Sequence, residues 1–182
     1  MELNEAKELI RTDDIDFTGH QQWLDLGCGS GTFTLALASL LEGGSVINAY
    51  DKNTSVLGKI PDRFNDVKIQ KETIDFVEDK VPLENLNGIL MANSLHYVED
   101  KVSFLDKAML SLNAGASFLL IEYDTDIANP WVPYPLNISS AHLLFKKCGF
   151  RSVKELNQKK SVFGRANLYS MLAIHRIFRF KT

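Results

Sequence analysis

Cysteine is scarce in this 182-residue chain, and the two present, Cys28 and Cys148, lie far apart with no His, Asp or Glu partner at metal-ligand spacing. That argues against both a metal site and a disulfide framework and leaves two reduced thiols. Long hydrophobic runs are missing as well. The apolar stretches at 89–92 and 118–121 fall far below the roughly 20 residues of a membrane helix, so no membrane partner is expected. Nor is there an excess of positive charge: 20 Lys and Arg stand against 23 Asp and Glu, a net charge of −3. Without a basic balance there is no general attraction toward phosphate backbones or anionic lipid, and a nucleic-acid substrate is disfavoured. The opening Met-Glu-Leu-Asn-Glu is acidic and has neither the basic start nor the apolar stretch of a signal peptide, which predicts a cytoplasmic protein. No internal repeat or low-complexity tract is visible.

What the chain does have is enough apolar material, 45% of positions, for one full core, so a single domain over 1–182 is expected. From residue 22 onward short apolar strands alternate with helical patterns, which predicts an α/β fold with helices on both faces of a mostly parallel sheet. Residues 2–10 put Leu3, Ala6, Leu9 and Ile10 on one helical face, a lead-in helix within the segment 1–21. Strands are expected at 22–26, 45–50, 67–70, 88–92 and 117–123. A helix over 32–41 ends at Gly43-Gly44, and a short or broken one spans 57–64, limited by Pro61. Little room for a helix remains between the third and fourth strands. Val102, Leu105, Met109 and Leu112 mark the next helix, after which Asn113-Ala-Gly is expected to turn the chain into the fifth strand. Residues 124–137 hold three of the five prolines and read as a loop. Ala141, Leu144, Phe145 and Cys148 mark a last helix, closed by Gly149. An antiparallel hairpin, 152–157 and 168–175 around Phe163-Gly164-Arg165, then completes a count of seven strands.

The chemistry concentrates where the first strand runs into Gly27-Cys28-Gly29-Ser30-Gly31 and then a helix. Glycines at such a junction let the backbone approach a ligand and bring its N–H groups close. A dinucleotide fingerprint wants a glycine three positions after the second one, and Thr32 stands there instead. Asp25, two residues before the first glycine, would repel a pyrophosphate but would attract the ammonium group of an amino acid.

With Trp23-Leu24-Asp25-Leu26 leading in, this loop resembles the first motif of class I S-adenosylmethionine-dependent methyltransferases. The resemblance implies that Asp25, Gly27, Cys28, Gly29 and Gly31 surround the methionine part of the cofactor. It implies that Asp51, followed by Lys52 at the end of the second strand, takes the ribose hydroxyls. Asp75 would accept the adenine amino group with Phe76 beside the ring. Asn93-Ser94-Leu95-His96-Tyr97 corresponds to the motif lining the side where the methyl group leaves, with Asn93 on the cofactor. The Cys-Gly-Phe ending of the last helix is similar to that in many small-molecule members. The family also implies a three-layer sandwich with strand order 3-2-1-4-5-7-6, the seventh antiparallel, and the cofactor across the carboxyl ends of strands one to three. No recognition domain precedes residue 22, so acceptor recognition falls to the lead-in helix, the loop after the fourth strand, residues 124–137, or the partner subunit of a homodimer.

Each candidate has a plainer alternative. Asp75 also reads as a turn or cap residue, and Cys28 as a small filler whose thiol nothing nearby activates. His96 reads as a general base or as packing on the cofactor, with Asp124 a second base candidate. Tyr97, Tyr123, Trp131 and Tyr134 are candidate acceptor contacts; Trp131 and Tyr134 read equally as an aromatic clamp packed on the sheet. The pairs Lys146-Lys147 and Lys159-Lys160 read as solvated charges. The expected function is methyl transfer from S-adenosylmethionine to a small molecule. Its rivals are a methyltransferase of macromolecules, a cofactor-binding module without turnover, and a nicotinamide oxidoreductase, the last disfavoured by the glycine spacing and Asp25.

Overall fold

The computed structural model describes residues 1–79, 81, 83–160 and 166–175. Among these residues eight strands form one sheet in the order β3-β4-β2-β1-β5-β6-β8-β7. In chain order these are β1 (Gln22–Leu26), β2 (Val46–Asp51), β3 (Arg63–Phe64), β4 (Val67–Thr73), β5 (Leu86–Ala92), β6 (Leu112–Tyr123), β7 (Ser152–Lys160) and β8 (Asn167–Ile174). The helices are α1 (Leu3–Ile10), α2 (Thr32–Ala38), α3 (Thr54–Leu57), α4 (Lys101–Met109) and α5 (Ile138–Lys147), with a single 3-10 turn at Leu95–Tyr97. Set aside β3, and the remaining order is the expected 3-2-1-4-5-7-6, with β8 antiparallel to both neighbours.

The period-two alternation of side chains builds the three layers. Leu24, Leu26, Ile89, Met91, Phe118 and Leu120 point to the face covered by α4 and α5, where Leu105, Ala141 and Phe145 meet them. Trp23, Ile47, Leu90, Leu119 and Ile121 point to the opposite face, against Ala6, Leu9 and Ile10 of α1 and Phe33, Ala36 and Leu37 of α2. Leu57 and Ile60 cover Ala49 and Ile69 beyond α2. Helix starts follow capping chemistry: Asp100 accepts from Ser103 N at 3.0 Å and Asn137 from Ser140 N at 2.7 Å.

Three sequence expectations change. The strand count is eight, because Arg63–Phe64 pairs antiparallel with β4 through the two-residue turn Asn65-Asp66, at φ 46° and 62°. Asn and Asp tolerate that left-handed backbone, which a tight hairpin demands. Asn113-Ala-Gly does not precede the fifth strand but lies within it, and the register with β5 shifts between Leu86↔Leu112 and Gly88↔Ser117. The extra residues bulge instead of turning. Helix α2 ends at Ala38, where the Ser39 hydroxyl donates to Ala36 O at 2.7 Å. The expected hairpin turn at 163–165 lies outside the described residues. Among those that are described, no helix is long and apolar enough to cross a membrane.

Candidate functional site

The sheet order reverses direction at β1, which lies between β2 and β5, and crevices open above the carboxyl ends of strands at such a point. A cleft of about 530 Å³ occupies that edge. One half is walled by Asp25, Gly27 to Ser30, Asp51 to Asn53 and Asp75 to Val77; the other by Ala92 to Ser94, Tyr97, Tyr123, Leu168, Lys159 and Lys160, with Met1 and Glu5 at the α1 side.

The glycine loop is closed by its own amides. Gly27 N and Cys28 N donate to Tyr50 O at 2.8 and 3.1 Å, Gly31 N donates to Cys28 O at 3.0 Å, and Gly29 N donates to Asp51 Oδ2 at 2.9 Å. These four N–H groups are therefore taken by acceptors of the chain, where the sequence suggests N–H groups close to a ligand. A loop so occupied is not a phosphate cradle. Gly27 is required for two reasons: its φ is +75°, and a Cβ there would lie 2.5 Å from Ser94 Cβ. That contact locks the loop to the segment after β5, where the Ser94 hydroxyl donates to Leu26 O at 2.6 Å. A Cβ on Gly29 would meet nothing within 4 Å. Gly31 caps α2 beside Ile60, off the cleft wall.

Asp25 is 1% exposed. Its Oδ2 accepts from the Thr34 hydroxyl at 2.6 Å, while its Oδ1 is buried with no hydrogen-bond partner. Burial raises its pKa to about 7, against the lowering effect of Thr34 and with a further push from Asp51. Across the loop Asn93, in a left-handed backbone at φ 53°, also carries a buried Oδ1 without a partner. Two orphaned acceptors in one cleft, one from each half where the halves meet, call for a donor that the described residues do not supply. Burial pushes the Cys28 thiol well above its ordinary range, so it acts as a filler and not as a nucleophile.

At the end of β2, Asp51 accepts from Gly29 N through Oδ2 and from Asn53 N, 2.8 Å, through Oδ1. Each oxygen keeps acceptor capacity beyond that bond, on a residue that lines the cleft. Asp75 receives Val77 N on Oδ1 at 3.2 Å and pairs with Lys52 at 3.5 Å, so it is a turn residue whatever else it binds. Phe76 stands on the wall against Phe104, ring centroids 5.9 Å apart.

The other half departs further from the sequence reading. His96 is 2% exposed and is not on the cleft wall. It is tied to Glu122 twice: His96 N donates to Oε1 at 3.1 Å, and Nδ1 lies in hydrogen-bond contact with Oε2 at 2.6 Å. Asp124 is off the wall too, with its Oδ1 accepting from Ile138 N at 3.1 Å. Tyr97 and Tyr123 do line the cleft. Trp131 is 77% exposed, and Tyr134 bonds Glu99 through its hydroxyl at 3.2 Å; neither reaches the wall. Sequence reasoning missed Glu122 and Thr34, named Ser94 only as part of the motif after the fourth strand, and gave Lys159 and Lys160 no role. Glu122 had a signal, a lone acid at the end of the apolar run Phe-Leu-Leu-Ile.

A family model described as a methyltransferase domain matches residues 24–118. No curated protein sequence matches the chain. Among solved structures, a SAM-dependent methyltransferase from Methanosarcina mazei is similar with a TM-score of 0.66 and 16% identity, over 88% of this chain and 95% of that one. Phosphoethanolamine N-methyltransferase 2 of Haemonchus contortus, in complex with S-adenosyl-L-methionine, gives 0.73 and 13%, over 96% of this chain and 52% of that one. An arsenic (III) S-adenosylmethionine methyltransferase from Chlamydomonas reinhardtii gives 0.65 and 16%, over 97% and 74%. At these identities the likeness is one of fold.

Proposed function

This chain belongs to the methyltransferase-domain family, and from that premise we propose that it transfers the methyl group of S-adenosylmethionine to a small-molecule acceptor. The observation that carries the reading is the pair of buried, unpartnered oxygens, Asp25 Oδ1 and Asn93 Oδ1, on the wall of one cleft. Left alone, each such acceptor costs about 1–3 kcal/mol. An amino-acid ammonium offers three donors and a positive charge, which suits both oxygens and the ionised form of Asp25. A pyrophosphate suits neither the carboxylate nor a loop whose amides are taken by acceptors of the chain.

When bound, S-adenosylmethionine supplies a methyl group already activated on a sulfonium. The residues of the chain then have to bind, orient and exclude water. Asp25 and Asn93 hold the ammonium, Asp51 takes the ribose hydroxyls, and Asp75 with Phe76 takes the adenine. Tyr97 and Tyr123 border the space left for the acceptor. Alignment of this kind is worth roughly 7–11 kcal/mol of barrier. A small acceptor is supported by the cleft volume of about 530 Å³ and by a net charge of −3, which offers no general affinity for a nucleic-acid strand. Two free, buried cysteines suit a reducing, cytoplasmic setting.

Calorimetry tests the cofactor: S-adenosylmethionine is expected to bind one to one, Asp51→Ala to weaken it about 100-fold, and NADH to give no heat. Heat from NADH alone would overturn the reading. A second reading, binding without turnover, draws on His96 being tied to Glu122 and off the cleft wall. A tritiated methyl donor incubated with cell extract separates the two. Label in small molecules supports the enzyme, label only in RNA or protein moves the acceptor class, and no label favours the binding module.

A further inference from the structure

The two halves of the cleft differ in charge. Three carboxylates, Asp25, Asp51 and Asp75, stand on the cofactor half against Lys52. At the β7 end stand Lys159, Lys160 and Glu5. Glu5 is taken up by an ion pair with Lys159. Lys160 is exposed and has no ion pair among the described residues. Of the two acids that flank Tyr123, Glu122 is 1% exposed and spends both oxygens on His96, and Asp124 is off the wall with its Oδ1 accepting from Ile138 N. Among the described residues Lys160 therefore carries a positive charge without an ion-pair partner at the acceptor end of the cleft, in a chain that is negative overall.

Strand register puts Lys159, the residue before it, in one row with a hydrogen-bond donor. Tyr123 of β6 is the Cα partner of Leu168 in β8, and Leu168 is the partner of Lys159 in β7, so the three lie in one row across adjacent strands. With strands about 4.8 Å apart, the row spans about 10 Å; Lys160 follows Lys159, pairs with Asn167 and turns to the other face of the pleat, but at the carboxyl end of β7 it lines the same cleft as Tyr97 and Tyr123. Burial and the neighbouring Glu122 raise the Tyr123 pKa above its ordinary value, so its hydroxyl keeps its proton and donates.

We propose that the acceptor is a small organic anion, whose carboxylate or phosphate is held by Lys160 with the Tyr97 and Tyr123 hydroxyls at the β7 end of the cleft. This rests on the cofactor reading above, since it assigns the donor to the other half. Lys160 is a specificity-determining residue here, not a catalytic one, and its charge selects the class of acceptor through attraction of anions and repulsion of cations.

The test uses the full chain loaded with S-adenosylhomocysteine and two probes of one shape and opposite charge, benzoate and benzylammonium, followed by nuclear magnetic resonance. Benzoate is expected to give saturable shifts at Tyr97, Tyr123 and Leu168, and benzylammonium none. Lys160→Glu is expected to weaken benzoate about tenfold and Lys160→Gln by less, with unchanged melting of the exposed-site variants. Benzylammonium binding as well as benzoate, benzoate binding unaffected by Lys160→Glu, or no saturation with either probe would overturn the proposal. Failure of S-adenosylhomocysteine to load is a different result, which removes the cofactor reading and this inference together.

Discussion

The donor half of the cleft and the acceptor half are built by different means. The donor half takes most of its contacts from residues 25–31 and from the first residues beyond β2 and β4, and it is held rigid by backbone bonds such as Gly27 N and Cys28 N to Tyr50 O. The acceptor half collects single side chains from β5, β6, β7, β8 and α1, with few bonds between them. A locally specified half can stay constant while a half assembled from distant segments changes its chemistry one side chain at a time. Donor binding should therefore be insensitive to changes in the acceptor half, and the reverse should hold less well.

The largest expected effect lies at the seam. Gly27→Ala places a Cβ 2.5 Å from Ser94 Cβ and forces φ +75° on a chiral residue. The expected loss is about 3 kcal/mol or more in urea unfolding, with donor affinity lost alongside. Gly29→Ala, at φ +53° but facing open space, is expected to cost only about 1 kcal/mol. Equal losses would mean that contact with the segment after β5 does not shape the loop, and the contrast between the halves would fail.

Asp25→Asn comes next and carries a sign. The folded pKa is raised to about 7 from 3.8, so folding favours the protonated acid. That contribution is fully present below the unfolded value and is lost as pH rises through about 7. The variant lacks this slope, and in thermal melts without ligand its advantage over the parent should widen from about pH 4 to about pH 7 and then level. Donor binding runs the opposite way, because the ammonium needs the carboxylate. Parent affinity is expected to fall by up to about tenfold per pH unit below about 7, whereas the variant stays flat and, at pH 8, binds about 10–100-fold more weakly. A parent affinity that does not change with pH would remove Asp25 from the donor site.

The same division explains what the sequence revealed. Residues 22 to 31 announced their strand, loop and helix because the apolar run, the glycines and the helical pattern follow one another directly in the sequence, and the sheet order followed from the family resemblance. The short strand Arg63–Phe64 escaped because two residues carry no periodicity; only the left-handed pair Asn65-Asp66 marked it. In the acceptor half the identities were visible and the placements were not. His96 looked like a base from its position after β5, but Glu122, 26 residues on, turns it inward. Lys159 and Lys160 looked like ordinary solvated charges until the antiparallel register set Lys159 in the row with Leu168 and Tyr123, with Lys160 following it on the cleft wall.

Glu122→Gln probes the seam from the acceptor side. The amide still accepts from His96 N and can donate to Nδ1 of the other tautomer, so a loss of about 1 kcal/mol is expected in urea unfolding. Affinity for S-adenosylhomocysteine should stay unchanged in calorimetry. A marked fall would show that His96 and Glu122 shape the donor half as well, and the two halves would be one unit.

Trp131→Ala should have the smallest effect. The ring is 77% exposed, while the loop takes its shape elsewhere: Asn129 Oδ1 accepts from Trp131 N at 2.9 Å, Tyr134 N donates to His96 O at 3.0 Å, and the Tyr169 hydroxyl donates to Leu136 O at 2.8 Å. With those anchors intact, stability is expected to stay within about 0.5 kcal/mol and donor affinity not to move. Benzoate binding is the informative readout. If it too is unchanged, recognition ends at the wall formed by Tyr97, Tyr123 and Lys160. If it falls while donor affinity holds, the proline-stiffened loop closes over the acceptor in solution, and the acceptor half gains a movable side that the donor half lacks.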